Sequence, residues 1–180
     1  TEGYAEIHGR VFYIEYDVSG VEPALLVSKI KKDWEFLMGN LGLADSPQYL
    51  HENGLPVVEI WGMGVEGSSG ASAAQAQAVI DYFHKDADSK YRAVVIGGVG
   101  SYWRTGTRDA KPGADWAAVY RSFDVINPWA VGRYADSDGA DTYRSEVIAP
   151  DLRETGKLGL GYMPVIFPGF SWKNLYPDSP

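Results

Sequence analysis

The chain alternates five short apolar segments, each typical of a β-strand, with segments that suit helices or loops. The predicted strands are Arg10–Val18, Pro56–Gly62, Arg92–Val99, Phe123–Val131 and Tyr162–Phe167. They recur every roughly 30–45 residues, the spacing expected of βαβ units. This order predicts an α/β fold with a parallel sheet and helices outside it. Because parallel strands end at the same edge of a sheet, that edge is where we expect a ligand to bind.

The residues at or near these predicted strand ends are mostly acidic, amide or aromatic. They are Glu15, Asp17, Glu59, Trp61, Tyr102, Trp103, Arg104, Asn127, Trp129 and Trp172. Carboxylates and amides accept hydrogen bonds from sugar hydroxyls, and indoles offer flat apolar surfaces to sugar rings. Such a set is more typical of a sugar-binding cleft than of a site for another common ligand.

Three carboxylates within this set are candidates for catalysis. Glu15 and Asp17 alternate onto one face of the first strand, as Glu59 and Trp61 do on the second. A pair of such groups can carry out acid–base or nucleophilic chemistry on a glycosidic bond. The structural alternatives are an ion pair with an Arg of a neighbouring strand for Glu15 and Asp17, and a structural partner for the deeper Glu59. A loop merely folded over the opening is the alternative for Tyr102, Trp103 and Arg104.

The 180 residues are predicted to form one domain, 1–180, with one sizeable core. Predicted helices span Ala24–Leu43, Ala71–His84, Asp115–Ser122 and Asp141–Leu158, and 45–54 is predicted to form a loop or hairpin. Five strands suit an open doubly wound sheet or five of the eight strands of a (β/α)₈ barrel. A complete barrel typically needs about 250 residues, so we expect an incomplete one.

Composition excludes several classes of function. The formal charge of −8 repels phosphate backbones and so argues against a nucleic-acid partner. The absence of Cys and of metal-ligand spacing argues against a metal site, and no cofactor is expected. No apolar run is long enough to span a membrane, and no signal peptide is visible. Gly62–Gly67 fits G-x-G-x-x-G, but no acidic residue ends a strand about 20 residues later, so a nucleotide site is a weaker alternative.

Four longer segments resemble glycoside hydrolase family 99-like proteins, which are related to endo-α-mannosidases and endo-α-mannanases and include members labelled xylosidase/arabinosidase. The segments are VFYIEYDVSG, GSYWRTGTRDAKP, FDVINPWAVGRY and IAPDLRETGKLGLGYMPVIFPGFSWKNL, and the resemblance spans nearly the whole chain. It implies a (β/α)₈ barrel that acts on glycans at the C-terminal ends of its strands. By the same comparison, the five predicted strands resemble the third to seventh of the barrel.

The resemblance also implies two catalytic Glu residues in an acidic segment near the last strand of the family, similar to E-V-D-E-G-T. This sequence contains no such segment. The resemblance therefore carries over only substrate-contact residues: Asp17, Trp61, Tyr102, Trp103, Arg104, Asn127, Trp129 and Trp172.

Two functions follow as predictions. The first is a glycoside hydrolase that acts on mannan or a related glycan, with catalytic residues drawn from Glu15, Asp17 and Glu59. The second is a non-catalytic, lectin-like barrel remnant that keeps the aromatic opening. The expected partner is an oligo- or polysaccharide, and the expected location is extracellular or periplasmic. Self-association through open barrel edges is a further expectation, because unpaired strand edges need a cover.

Overall fold

A computed structural model describes residues 8–169, Asn174 and Tyr176, and these contain six strands and five α-helices. The strands are β1 (Ile14–Asp17), β2 (His51–Glu52), β3 (Leu55–Trp61), β4 (Val94–Gly100), β5 (Val125–Trp129) and β6 (Gly161–Tyr162). The helices are α1 (Leu26–Glu35), α2 (Ala73–Asp81), α3 (Ala114–Tyr120), α4 (Ser137–Tyr143) and α5 (Ala149–Leu158). Turns of π-helix continue α1 over Phe36–Asn40, continue α2 over Tyr82–Asp86, and join α4 to α5 over Arg144–Ile148.

Five of the strands form a parallel sheet in the order β1-β3-β4-β5-β6, so each lies beside the next one along the chain. The short β2 pairs antiparallel with the start of β3. Asn53 and Gly54 form the two-residue turn between them, with φ angles of 51° and 79°. Positive φ at both positions is typical of tight hairpin turns. The predicted parallel α/β sheet is confirmed, and of the two alternatives for 45–54, a loop or a hairpin, the end of this segment forms a hairpin with β3.

The main hydrophobic core lies between one face of this sheet and the helices α1, α2 and α3. From the strands it takes Val58, Ile60, Val95, Val99 and Ile126, and from the helices it takes Leu26, Ile30, Trp34, Ala76, Val79, Ile80, Trp116, Val119 and Tyr120. Crossovers between neighbouring parallel strands are right-handed, which places successive helices on the same side. Side chains of the opposite parity, such as Glu59, therefore face away from the helices.

Among the described residues the sheet is open, because β1 and β6 form its two edges and do not pair with each other. The finer prediction of a barrel is therefore not shown. The last strand is Gly161–Tyr162, shorter than the predicted Tyr162–Phe167, and its pairing with β5 ends at the bond from the Met163 N–H to the Ile126 carbonyl at 2.9 Å. None of the helices in the described part of the chain is both long and apolar enough to cross a membrane.

Helix boundaries also differ from the predictions. The helical segment predicted over Asp141–Leu158 begins earlier, at Ser137 with α4, because the Asp136 side chain accepts a hydrogen bond from the Gly139 N–H at 2.8 Å and caps this helix. The first helix ends at Asn40 rather than at Leu43. Gly42 follows it with φ of 61°, a left-handed conformation that favours glycine.

The tight packing of β4 against Phe123 yields a stability prediction. A Cβ added at Gly97 would lie 2.4 Å from Phe123 Cδ2, whereas one added at Gly156 of α5 would meet no atom within 4 Å. We expect Gly97→Ala to lower the free energy of unfolding by about 1–3 kcal/mol through overpacking. Gly156→Ala, the matched control, should raise it by about 0.5–1 kcal/mol, as for Gly→Ala in a helix. Urea denaturation measures both, and equal effects would contradict the described packing.

Candidate functional site

A cavity of about 360 Å³ opens on the helix-free face of the sheet, toward the C-terminal ends of β1, β3 and β5. We call it the mouth pocket; its lining residues are Tyr13, Glu15, Asp17, Glu59, Trp61, Asn127, Trp129 and Val165. The pocket brings together six of the ten residues singled out in the sequence. It includes all three candidate carboxylates.

Glu59 is the most deeply buried acid of the pocket. It lies in the middle of β3, and only 2% of its surface is exposed. The Tyr13 hydroxyl donates to Glu59 Oε2 at 2.8 Å, and the Asn127 Nδ2 donates to Oε1 at 3.0 Å. A buried carboxyl group needs such partners, because burying it without them costs several kcal/mol.

The environment of Glu59 favours the protonated acid. Burial raises the pKa of Glu59, and the negative charge of Glu15 raises it further, whereas the two hydrogen bonds act in the opposite direction. Burial together with the hydrogen bond to Glu59 also raises the pKa of the Tyr13 hydroxyl. A carboxyl group with a raised pKa inside a cleft is a candidate for holding and releasing a proton.

Glu15 and Asp17 lie on β1, the strand next to β3, and both residues are exposed. Glu15 is in register with Glu59, and Asp17 with Trp61. The Asp17 Oδ1 accepts a hydrogen bond from the Ser19 N–H at 2.8 Å, which orients that carboxylate. No Lys, Arg or His forms an ion pair with the three acids in the part of the chain that the structure describes. The alternative of an ion pair with Arg is therefore wrong for the described residues.

Trp61 and Trp129 form the aromatic wall of the pocket. Their ring centroids are 5.4 Å apart and their planes meet at 77°, an edge-to-face arrangement. They stand on β3 and β5, which flank β4 and so are roughly 9–10 Å apart. The indoles meet over β4 because Gly98 has no side chain there: a Cβ at this position would lie 2.4 Å from Trp61 Cδ1. Trp129 remains 38% exposed and offers ring surface to a ligand.

The loop after β4 has the composition of a sugar-binding loop, but its aromatic and cationic residues do not line the mouth pocket. Trp103 has no exposed surface, and its indole N–H donates to Asp151 Oδ2 at 2.9 Å. Arg104 donates to the other oxygen of Asp151 at 2.8 Å. Both residues thus anchor the loop to α5, and neither lines the mouth pocket.

Tyr102 also lies outside the pocket lining, and the Arg108 guanidinium stacks over its ring at 4.4 Å. Trp172 lies outside the described residues. Tyr13 is the one pocket residue with a polar side chain that we did not single out from the sequence. The sequence did contain a signal for Tyr13. Tyr13, Glu15 and Asp17 are successive alternate residues, and alternate side chains of a strand lie on the same face.

The Gly62–Gly67 loop packs closely on α3. The Gly64 carbonyl accepts hydrogen bonds from the Tyr120 hydroxyl at 2.7 Å and from the Lys111 N–H at 2.8 Å. A Cβ at Gly64 would lie 2.5 Å from the Tyr120 hydroxyl. This glycine therefore allows close packing, which accounts for it without a nucleotide. The described residues contain no group of three or more acidic or His side chains placed to hold a metal ion.

Comparisons with models of protein families, with curated proteins and with solved structures found no match to this chain. The resemblance to glycoside hydrolase family 99-like proteins therefore stays a prediction. Assignment of a function depends on the geometry of the mouth pocket.

The raised pKa of Glu59 predicts a pH-dependent stability. Folding favours the protonated carboxyl, so its contribution is fully present below the pKa of an unfolded Glu, about 4.3. It is lost as the pH rises through the raised pKa of the folded state. Glu59→Gln cannot ionise, so we expect its free energy of unfolding to fall less than that of the wild type between about pH 4 and pH 8.

Urea unfolding at several pH values measures this difference in slope. The Gln amide also turns a donor toward Tyr13 or Asn127, which should add a constant loss of about 1–3 kcal/mol. Glu146→Gln, on the exposed helical turn between α4 and α5, is the matched control and should keep the wild-type slope. Parallel profiles for the wild type and Glu59→Gln would show that Glu59 titrates normally.

Proposed function

We propose that this chain is glycoside hydrolase-like and binds or hydrolyses mannan or a related plant or microbial glycan in the mouth pocket. One observation carries the proposal: a single pocket combines three carboxyl groups, an amide and a partly exposed pair of indoles. Polar groups that accept hydroxyl donors, placed beside flat apolar rings, match the two kinds of surface on a sugar. The resemblance to the glycoside hydrolase family supports the same substrate class.

We also propose that the sheet represents part of a (β/α)₈ barrel. Its parallel strands neighbour one another in chain order, and α1, α2 and α3 pack on one of its faces. In a barrel, the other face would be the interior, with the site at the C-terminal ends of the strands. The mouth pocket lies at that position. The open edges at β1 and β6 then call for a cover, and self-association is one way to supply it.

Two features of the acids favour hydrolysis. The buried Glu59, with its raised pKa, suits a proton donor, while Asp17 and Glu15 are exposed and so accessible to a substrate. Glu15 and Glu59 extend from neighbouring strands in register. A separation of about 5–5.5 Å between the two catalytic carboxyl groups would give retention of configuration, and one of about 6.5–9.5 Å would give inversion.

A second candidate is glycan binding without turnover, and one observation favours it. Both oxygens of Glu59 are already hydrogen-bonded, to Tyr13 and to Asn127. A carboxyl group held by a hydrogen bond at each oxygen can serve as a buried structural anchor for the pocket. In that case the indoles and Asp17 bind the glycan, and no proton is transferred. For either function we propose an extracellular or periplasmic location, where polysaccharides occur.

Binding tests the proposal first. We expect α-mannan oligosaccharides to quench Trp fluorescence, and Trp129→Ala to raise the Kd about tenfold because it removes the exposed half of the aromatic wall. Phe36→Ala is the control, since Phe36 is also exposed but lies next to α1, outside the mouth pocket. Absence of any sugar binding by the wild type, or an equal effect of both variants, would refute the proposed site.

Turnover separates the two candidates. If the chain hydrolyses mannan, Asp17→Asn should lower the rate of reducing-sugar release about 100-fold or more, the range of a lost acid–base or nucleophilic group. Asp86→Asn, at the opposite end of the sheet, should leave that rate unchanged. Binding without any release of reducing sugar would instead select the lectin-like function.

A further inference from the structure

Three loops at the C-terminal edge of the sheet meet at Asp109. Its Oδ2 accepts a hydrogen bond from the Ser101 N–H at 2.8 Å, and its Oδ1 accepts one from the Tyr102 N–H at 3.1 Å. These bonds close the loop after β4. The Arg133 guanidinium, from the loop after β5, donates to the same Oδ2 and forms an ion pair with it.

The backbone of Asp109 and its neighbours holds the third loop, which follows β3. The Asp109 carbonyl accepts from the Glu66 N–H at 2.8 Å, and Val65 forms an antiparallel bridge with Ala110. Gly100 allows this approach, because a Cβ there would lie 2.6 Å from the Asp109 carbonyl oxygen. One residue thus ties together the ends of β3, β4 and β5.

A chain of hydrogen bonds leads from this junction to the mouth pocket. Arg133 Nε donates to the Ser101 hydroxyl at 3.1 Å, and that hydroxyl donates to the backbone carbonyl of Trp129. Ser101 is buried, and the Asp109 side chain is only 11% exposed, so water competes little for these bonds. The carbonyl that they hold belongs to the residue whose indole faces Trp61.

We propose that Asp109 is a positioning residue: through Ser101 and Arg133 it sets where Trp129 stands against Trp61, and thereby the fit of the mouth pocket to a sugar ring. The part that concerns sugar rests on the proposed function. The part that concerns the Trp pair does not. Asp109 itself does not line the pocket, so its effect passes through the two residues that contact the end of β5.

The geometry of the Trp pair can be measured directly. Two indoles at 5.4 Å and 77° give an exciton couplet in far-ultraviolet circular dichroism, and Trp129→Phe defines the part of the spectrum that this pair contributes. We expect Asp109→Asn to remove at least half of that contribution. We also expect it to raise the Kd for α-mannan oligosaccharides about tenfold, the effect of weakening bonds to a charged group.

Arg133→Gln provides a second variant, because Arg133 is more exposed and its loss leaves the two backbone bonds of Asp109 in place. It should reduce the couplet by a smaller amount even if Asp109→Asn fails to fold. Asp141→Asn is the matched control: it breaks an exposed Asp–Arg pair within the α4–α5 segment and should leave the couplet unchanged.

The outcomes are distinguishable. A couplet that disappears in Trp129→Phe but stays intact in Arg133→Gln and in folded Asp109→Asn would overturn the positioning role. A spectrum unchanged by Trp129→Phe would overturn it as well, since the Trp pair would then not exist. If the couplet changes as expected but the wild type binds no glycan, the positioning role of Asp109 stands and the proposed function fails.

Discussion

Five parallel strands that neighbour one another in chain order can be covered by helices on one face only, and both core and pocket depend on this constraint. Right-handed crossovers place successive helices on the same side of such a sheet. In β3, Val58 and Ile60 face the helices, while Glu59 and Trp61 face the other way. A register shift of one residue would bury the acid among the helices and expose the valine. The hydrophobic core therefore holds the carboxylates in the pocket.

The uncovered face of the sheet contains the nearly inaccessible carboxyl group of Glu59, and burying a carboxyl group without partners is unfavourable. Tyr13, beside β1, and Asn127, on β5, donate hydrogen bonds to this group from opposite sides of β3. The contact from β5 has to cross β4, and the Trp61–Trp129 contact crosses the same strand. Both crossings occur near Gly98, where β4 has no side chain to obstruct them. The glycines of β4 thus serve the neighbouring strands, which explains a glycine-rich segment in the centre of a sheet, where glycine is otherwise unfavourable.

Much of this arrangement could be predicted from the sequence, because strands have a period of two. The apolar segments and their spacing predicted the parallel sheet, and alternation along β1 and β3 placed Glu15, Asp17 and Glu59 on one face. The extent of strand pairing could not be predicted as well, because β6 includes only Gly161–Tyr162 although the predicted apolar segment continues to Phe167. The sequence pattern also could not predict whether the sheet closes into a barrel, since five strands in this order fit either an open or a closed sheet.

Prediction from the sequence was least successful in the loops, because a loop has no regular period that would show which way its side chains point. Trp103 and Arg104 have the composition of a sugar-binding loop, yet both turn toward Asp151, 48 and 47 residues further along the chain. Asp109 shows the converse: no local pattern marks it, and its role depends on Arg133, which lies 24 residues away. Residues on strands can therefore be assigned to the pocket by parity alone. Residues on loops can be assigned only through their partners, and those partners come from distant segments that meet only in the folded chain.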